Sequence, residues 1–347
     1  MTKPRVLLAP DFRRMDEIFD QPTLGRLTDL ADIIWGRDGP MPPEAFREAI
    51  TNVDAIVFGT WHFGPDGLRN AGPSLRVVLE VAGGHRHPDL DYDYLFERAI
   101  PVGSCAPAFG PAVAEMALAH TLAVSRRVAA SDRAFRTGSE RYLHDGNVGA
   151  FSLHGATVGF VGCGGLARSL QALLEPFGPA IVGYDPWISV AELRDRGIRP
   201  VSSLEEIMGV CDVVYVLAVP TPDNRHMISR ELLERLRTLD VLVLISRAHV
   251  VDFDALTELV LEGRFRAGID VFPEEPLPAD HPIRTAEGAV LTAHLAGALP
   301  DALRDIGRMV VDDLEAVFAG RPPTRMQYAT PALRHGLTGQ TPQGTEE

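Results

Sequence analysis

The sequence is almost without lysine, since Lys3 is the only one among 33 basic residues. A lysine is required for Schiff-base catalysis, for the phosphate-binding motif of P-loop proteins and for a Tyr/Lys catalytic pair. These three kinds of site are therefore excluded. Any cationic group in a functional site must be an arginine or a histidine.

Cysteine and long apolar runs are scarce as well. The three cysteines are Cys105, Cys163 and Cys211, with no CxxC pair, so neither a disulfide framework nor a zinc site is indicated. No run approaches the roughly 18 apolar residues of a membrane span. The apolar stretch near the start is short and is followed directly by "DFRRMDE", unlike a signal peptide. We expect a soluble protein of the reducing cytoplasm.

Positive charge is also in the minority, because 33 basic residues face 47 acidic ones and the net charge is -14. Such a chain repels nucleic acid and anionic membranes unless a local basic patch intervenes, and the sequence has none. We expect neither as a partner. A length of 347 residues with 46% hydrophobic content predicts two domains, each with its own core.

Short runs rich in Val and Ile alternate with helical patterns, which is typical of βαβ units around parallel sheets. Their brevity and β-branched content favour strands over buried helices. The sequence therefore predicts an α/β fold. The runs are "RVLLAP", "DAIVFGT", "LRVVLEVAG", "ATVGFVG", "AIVGYD", "CDVVYVLAV", "VLVLI" and "AGIDVF".

Two helical patterns mark the domain boundaries. A long apolar pattern opened by Gly110 and Pro111 predicts an interdomain helix, and we place the first boundary just before it. A second amphipathic pattern follows Asp301 and ends at Gly320. We expect a first domain of residues 1–105 completed by a helix within 300–330, a second domain of residues 106–299, and a disordered tail at 331–347.

The segment "ATVGFVGCGGLARSLQALLEPFGPAIVGYDPW" carries a dinucleotide fingerprint between a strand and a helix. Gly162, Gly164 and Ala167 form GxGxxA, whose glycines allow a tight turn and let a pyrophosphate approach the backbone. Asp185, after the second strand, is placed to bind an adenosine ribose and to repel a 2′-phosphate, so we predict NAD over NADP. The alternative is a structural turn with an ordinary loop aspartate. The predicted NAD(H)-binding residues in this segment are Gly162, Gly164, Gly165, Leu166, Ala167 and Asp185.

Ionisable residues follow three strand-like runs. Arg247 ends one run, Asp270 and Glu275 follow the next, and His294 ends a third. Ligands of parallel α/β sheets lie beyond the carboxyl ends of strands, so these groups are predicted to share a cleft. A guanidinium binds a carboxylate or carbonyl oxygen, a histidine exchanges a proton with an alkoxide, and a glutamate orients the imidazole. Singly, each residue also fits a solvated or structural role.

These motifs resemble the D-isomer-specific 2-hydroxyacid dehydrogenase family over roughly residues 50 to 320. The matching segments are "GFVGCGGLA" with "YDP", "CDVVYVLAVPTPDNRHMI", "SRAHVVD", "IDVFPEEP" and "LTAHLAG". The resemblance implies two Rossmann-like domains with parallel sheets and an active-site cleft between them. It also implies that residues 1–105 form the substrate domain, that residues 106–299 bind NAD, and that the chain is a homodimer.

The resemblance implies a role for each matching residue. Arg247 corresponds to the substrate-binding arginine, Glu275 to the glutamate partner and His294 to the acid/base. Asp270 corresponds to the aspartate near the nicotinamide carboxamide. The family also holds the substrate carboxylate with main-chain N–H groups of a glycine loop, which here is Ala82, Gly83 and Gly84. No metal is implied.

The resemblance is imperfect near the site. Where the family often reads "NTARG", this chain has Leu244 in place of the asparagine and Ala248 in place of the glycine, and the family's "HLPLTPET" is "LAVPTPDN" at 217–224. We expect an NADH-dependent reductase of a small 2-keto acid, similar to glyoxylate/hydroxypyruvate reductase. The alternatives are a dinucleotide-sensing corepressor-like binding protein and a member of the family that oxidises formate or phosphite.

Other polar residues admit two interpretations each. His85 and His87, followed by three aspartates, could bind a metal or add positive charge at the mouth of the substrate loop. His120 lies in the predicted interdomain helix, where packing is favoured over catalysis. Arg168 could contact a pyrophosphate or solvent.

Overall fold

The computed structural model describes residues 2–85 and 87–338 and divides the chain into two compact units. The first unit runs to Phe109 and resumes at Ala298–Gly336. The second is formed by Gly110–Gly297, and Leu337 and Thr338 are grouped with it. The first unit is therefore assembled from two separate stretches of chain.

Each unit is built on one β-sheet. The described strands are β1 (Arg5–Ala9), β2 (Asp32–Trp35), β3 (Ala55–Phe58), β4 (Val77–Glu80), β5 (Val102–Ser104), β6 (Thr157–Val161), β7 (Ala180–Tyr184), β8 (Arg199–Pro200), β9 (Val213–Val216), β10 (Val241–Leu244), β11 (Arg266–Ile269), β12 (Ala289–Leu291) and β13 (Gln327–Tyr328). The predicted α/β fold with parallel sheets is confirmed.

The order and direction of the strands in each sheet indicate where a ligand can bind. The first sheet has the order β13-β5-β4-β3-β1-β2 and is parallel except for β13, which is antiparallel to β5. The second has the order β12-β11-β10-β9-β6-β7-β8 and is parallel throughout. Its order reverses between β6 and β9, and a crevice at such a reversal is the usual place for a dinucleotide.

Helices cover the sheets. They are α1 (Met15–Ile18), α2 (Gln21–Leu30), α3 (Pro43–Ala49), α4 (Tyr92–Glu97), α5 (Ala106–Ser125), α6 (Val128–Arg136), α7 (Leu143–Gly146), α8 (Gly165–Leu174), α9 (Val190–Asp195), α10 (Leu204–Val210), α11 (Arg230–Leu233), α12 (Phe253–Leu261), α13 (Pro300–Phe318) and α14 (Pro331–Thr338). Among the described residues, none of these helices is long and apolar enough to cross a membrane.

The core of each unit lies on both faces of its sheet. All four residues of β4 and all four of β10 are buried, as expected for parallel strands covered on two sides. Two apolar clusters flank the first sheet and two flank the second. This burial explains why the strand sequences are nearly continuous apolar runs.

The predicted interdomain helix was wrong in its limits. Helix α5 begins at Ala106 rather than at Gly110, and Pro111 lies inside it. Pro111 is the sixth residue of the helix and has no N–H to donate to the Pro107 carbonyl, so α5 forgoes one backbone hydrogen bond there. The helix also ends early, at Ser125, because Arg127 adopts a left-handed conformation with φ 57° before α6.

The prediction of a disordered tail from residue 331 was wrong for its first part. Residues Pro331–Thr338 form α14, whose side chains pack partly against the first unit. The composition of this stretch is polar, but Arg334 holds it in place through contacts with His85 and Tyr92, which are far away in the sequence. The remainder, from residue 339, lies outside the described residues.

Candidate active site

The glycine loop of the second unit has the geometry that a pyrophosphate needs. Gly162 has φ 91°, and a Cβ there would lie 2.7 Å from the Ala218 backbone, which follows β9. Around Gly164 and Gly165 no atom would lie within 4 Å of an added Cβ. Glycine is thus required at position 162, where the loop packs closely against the Ala218 backbone, and open space lies beside Gly164 and Gly165.

The N-terminus of α8 follows directly. Its N-cap residue is Gly164, which has no side chain to cap the helix, so the first N–H groups of the helix lack a side-chain acceptor. Leu166 and Ala167 lie in this first turn. Such a helix end attracts phosphate oxygens through its N–H groups and its dipole. The residues therefore fit a dinucleotide.

Asp185 lies at the carboxyl end of β7 and is tied to the same loop. One carboxylate oxygen accepts a hydrogen bond from the Cys163 N–H at 2.7 Å, and the other accepts from the Trp187 N–H at 2.8 Å. Asp185 therefore positions the glycine loop, and its remaining lone pairs are available to ribose hydroxyls. Arg168, in contrast, forms an ion pair with Glu192 at 2.6 Å.

His294 and Glu275 form a hydrogen-bonded pair in the second unit. The Nδ1 atom of His294 lies 2.6 Å from Oε2 of Glu275. An ionised carboxylate only accepts hydrogen bonds, so Nδ1 carries the proton and Nε2 is the atom that remains for proton exchange. Both side chains are about two-fifths exposed, at 38% and 37%, so a substrate can reach the imidazole.

Glu275 is held in its ionised form. Partial burial raises the pKa of Glu275, but hydrogen bonds from His294 and from the Phe272 N–H, with the charges of His294 and Arg247, outweigh the burial. The pKa of Glu275 therefore lies below its ordinary value. The carboxylate is charged at neutral pH and stabilises a protonated imidazole beside it.

Arg247 follows β10 and shares the electrostatic environment of this pair. Surrounding protein atoms remove water from its guanidinium and lower the pKa of Arg247, while the charges of Glu275 and Asp270 oppose that shift. The residue as a whole is exposed, and a guanidinium stays protonated at neutral pH even when its pKa falls. The predicted arginine, glutamate and histidine thus lie in one unit and interact through Glu275.

Asp270 holds the loop that carries His294. Its side chain is fully buried and accepts hydrogen bonds from the Thr292 hydroxyl and from the N–H groups of Leu295 and Ala296. Its backbone carbonyl accepts from the His294 N–H at 2.8 Å. These four bonds fix a loop in which His294 has the unusual φ of 54°.

Two further residues support this loop. Thr292 was not predicted from the sequence, and His120 was assigned to packing in preference to catalysis. Thr292 donates to Asp270, so its oxygen accepts the hydrogen bond from Nε2 of His120 at 2.9 Å. His120 is buried, and this burial lowers the pKa of His120 and favours the neutral ring. The sequence signal for Thr292 was its position two residues before His294. For His120 no local signal distinguished this role from packing.

In the first unit, the glycine loop after β4 presents two N–H groups that have no acceptor among the described residues. The Gly84 N–H donates to Oγ of Ser104 at 2.6 Å, so Gly84 is already engaged. Within the part of the chain that the structure describes, the N–H groups of Ala82 and Gly83 donate to no acceptor. These two N–H groups can receive a carboxylate.

His85 does not add a positive charge at the mouth of this loop. His85 is fully buried, and this burial lowers the pKa of His85, so the ring is neutral at neutral pH. Nδ1 of His87 accepts from the Trp61 N–H at 3.3 Å. Trp61 itself is buried among aromatic rings rather than exposed to a ligand. Across residues 2–85 and 87–338 no group of three His, Cys, Asp or Glu side chains has the geometry of a metal site.

Comparison with known proteins agrees with this geometry. The family described as "D-isomer specific 2-hydroxyacid dehydrogenase, NAD binding domain" matches residues 118–296, more than half of the chain. A solved phosphoglycerate oxidoreductase from Rhizobium etli is 32% identical, with a TM-score of 0.85, and the match covers 94% of this chain and 98% of that one.

Curated relatives agree as well. The glyoxylate reductase of Korarchaeum cryptofilum is 29% identical over 295 residues, which is 84% of this chain and 88% of the relative. The D-3-phosphoglycerate dehydrogenase of Methanocaldococcus jannaschii is 28% identical over 80% of this chain but over only 52% of its own length.

The protein belongs to the D-isomer-specific 2-hydroxyacid dehydrogenase family. It is an NAD-dependent oxidoreductase that interconverts 2-hydroxy acids and 2-keto acids. The resemblance inferred from the sequence motifs is thereby confirmed at the level of family, fold and cofactor.

Proposed function

We propose that the enzyme reduces a small 2-keto acid to the D-2-hydroxy acid with NADH. The observation that carries the proposal is the His294–Glu275 hydrogen bond, at 2.6 Å, in the unit that also holds the glycine loop. An imidazole whose Nδ1 is bound by a carboxylate is suited to donate the Nε2 proton to a developing alkoxide. NADH, when bound, supplies the hydride.

The other residues complete the proposed mechanism. Arg247 binds the keto oxygen or the substrate carboxylate through paired hydrogen bonds and stabilises the negative charge that develops on the oxygen. Glu275 accepts the hydrogen bond from Nδ1 of His294 and orients the ring. Ala82 and Gly83 donate their N–H groups to the substrate carboxylate. Asp270, whose carboxylate is fully buried and already accepts three hydrogen bonds, contributes by positioning His294 rather than by contacting the nicotinamide carboxamide.

The proposed substrates are glyoxylate and hydroxypyruvate, because the similar curated proteins include glyoxylate reductases. The test is a panel of 2-keto acids of increasing side-chain size, with oxidation of NADH followed by absorbance. We expect turnover of the small keto acids. Absence of turnover with every 2-keto acid on the panel would contradict the proposal.

The proposed preference for NADH over NADPH rests on Asp185. A carboxylate at the end of β7 accepts hydrogen bonds from ribose hydroxyls and repels the 2′-phosphate of NADP. We expect a lower dissociation constant for NADH than for NADPH in a fluorescence titration. Tighter binding of NADPH would contradict the assignment of Asp185.

We propose that the protein is a homodimer joined through the second unit. Helix α6 has no buried residue, and the stretch around it exposes large apolar side chains. These are Val128, Phe135, Tyr142, Leu143 and Val148, with exposures from 55% to 85%. An apolar surface of this kind is typical of an interface between subunits. The acidic chain with three free, buried cysteines is proposed to work in the cytoplasm.

The dimer proposal predicts the molar mass in solution. Light scattering on the wild-type protein should give twice the mass of the chain, and the double substitution Phe135→Glu with Leu143→Glu should shift it toward one chain. A monomeric wild-type protein at micromolar concentration would contradict the proposal. The substitution Val190→Glu, at another exposed apolar position, is the matched control and should leave the mass unchanged.

A further inference from the structure

The proposed carboxylate-binding loop of the first unit is held by hydrogen bonds at Val81, Gly84 and His85, on either side of the two N–H groups that would bind substrate. Nε of Arg13 donates to the Val81 carbonyl at 3.4 Å. Ser104 accepts from Gly84, and the fully buried carboxylate of Glu80 accepts from the His85 N–H at 3.0 Å. A loop held in this way presents Ala82 and Gly83 at a reduced cost in conformational entropy on binding.

The far end of the loop is held from the C-terminal end of the chain. We call residues 324–338 the C-terminal strap; it contains β13 and α14. Nε2 of His85 donates to the Gln327 carbonyl at 2.8 Å, and Nη1 of Arg334 donates to the His85 carbonyl at 2.7 Å. Because His85 is buried and neutral, the first of these bonds also fixes its tautomer.

Arg334 is itself held in place. Its guanidinium lies 4.0 Å from the centroid of the Tyr92 ring, and Tyr92 is buried at the start of α4. A guanidinium stacked on an aromatic face is restricted to few rotamers, so its hydrogen bond to a carbonyl is made at a lower entropic cost. Arg334 therefore links α14 to the loop and to α4.

The strap is also anchored to α13. The buried carboxylate of Asp313 accepts hydrogen bonds from the N–H groups of Thr324, Arg325 and Met326, and from the hydroxyl of Tyr328. Strand β13 then pairs with β5 at the edge of the sheet. These contacts bring Gln327 and Arg334 to a fixed place beside His85.

We propose that Arg334 and the C-terminal strap position the substrate-carboxylate loop, so that the C-terminal segment sets affinity for the keto acid without touching it. Arg334 is a positioning residue, because its guanidinium acts through the His85 carbonyl rather than on the substrate. This inference rests on the proposed role of Ala82 and Gly83. It does not depend on which keto acid is the physiological substrate.

The test compares Arg334→Met, Arg334→Lys and the control Arg321→Met. Arg321 is an exposed arginine just before the strap, and the positioning contacts do not involve it. Oxamate, a keto-acid analogue, is titrated in the presence of saturating NADH, and NADH is titrated alone. Loss of a charged hydrogen bond predicts that Arg334→Met weakens oxamate binding and raises the KM for keto acid about tenfold. NADH affinity and kcat should stay within about twofold of the wild type.

Hydrogen exchange supplies a readout that is independent of the substrate. In Arg334→Met the amides of residues 81–90 should exchange faster than in the wild type, because the loop opens more often. Arg334→Lys, which keeps the charge and can still donate a hydrogen bond, should recover part of both effects, and Arg321→Met should show neither. If wild-type protein fails to bind oxamate, the proposed function fails, whereas the exchange data still test the strap.

Three outcomes would overturn the role of Arg334. Unchanged oxamate affinity together with unchanged exchange in residues 81–90 would show that the hydrogen bond to His85 has no influence on the loop. An equal loss of NADH and oxamate affinity would indicate general destabilisation. An equal effect of Arg321→Met would indicate that any lost arginine weakens anion binding through net charge alone.

Discussion

Replacing His294 with asparagine is expected to lower kcat for keto-acid reduction by about 10²- to 10⁴-fold, the usual contribution of a positioned general acid. Asparagine keeps a polar side chain of similar reach but cannot release a proton at neutral pH. The buried Asp270 contacts use the backbone of this loop, so they persist in the variant. NADH binding should therefore remain close to that of the wild type.

The measurement is steady-state reduction of the best keto acid, with NADH affinity from fluorescence. His154→Asn is the matched control, because His154 is exposed in the same unit and lies outside the site, and its kcat should equal that of the wild type. Glu275→Gln should show a smaller loss than His294→Asn, because the imidazole keeps its transferable proton but loses the carboxylate that orients it. Retention of more than a tenth of kcat in His294→Asn would reject the proposed proton donor.

Replacing Arg247 with methionine is expected to lower kcat/KM by about 10²- to 10⁴-fold. Hydrogen bonds to a charged group contribute about 1.5–3 kcal/mol each, and two are lost with the guanidinium. Methionine keeps much of the aliphatic volume, so the change is mainly one of charge and hydrogen bonding. The only side-chain hydrogen bond of Arg247 among the described residues is to the Ser246 carbonyl, so little structural stability depends on it.

Kinetics and NADH titration of Arg247→Met and Arg247→Lys check this expectation. The lysine variant keeps a charge but not the two-pronged donor, so its kcat/KM should fall between those of Arg247→Met and the wild type. Arg264→Met, at an exposed arginine of the same unit, should behave as wild type. An equal loss of NADH and keto-acid affinity in Arg247→Met would point to misfolding instead of a lost substrate contact.

Much of the second unit could be predicted from local sequence. The strand ends at Arg247 and His294 follow from short apolar runs, and the glycine loop follows from spacing, because both depend on residues close together in the chain. Parallel pairing then places the carboxyl ends of these strands at one edge. The residue types of the candidate site could therefore be predicted from the sequence, whereas the distances between them could not.

The supporting contacts could not be predicted, because they join residues far apart in sequence. His85 meets Gln327 across 242 positions, and His120 meets Thr292 across 172. No periodicity or motif reports such a pairing. Helix α14 was missed for the same reason, since its polar composition resembles disorder until the hydrogen bond from Arg334 to His85 is known.

The limits of α5 were mispredicted for a different reason. Proline usually marks a helix start, and Pro111 suggested one at Gly110. The structure tolerates it within the second turn, where few backbone bonds are lost. The strands β2 and β5 were also missed, because Asp32–Trp35 and Val102–Ser104 do not lie in longer runs rich in Val and Ile like those that marked the predicted strands.

The division of the first unit into two stretches of chain has a consequence for synthesis on the ribosome. When residue 297 has emerged from the ribosome, the segment Gly110–Gly297 of the second unit is available to fold. Helix α13 and strand β13 of the first unit have not yet been made. Until they arrive, the edge of β5 is unpaired and the apolar residues that will contact α13 are uncovered. The nascent chain can therefore complete the cofactor-binding unit before it can complete the first unit. This order is the reverse of the usual one, in which domains fold from the N-terminus onward.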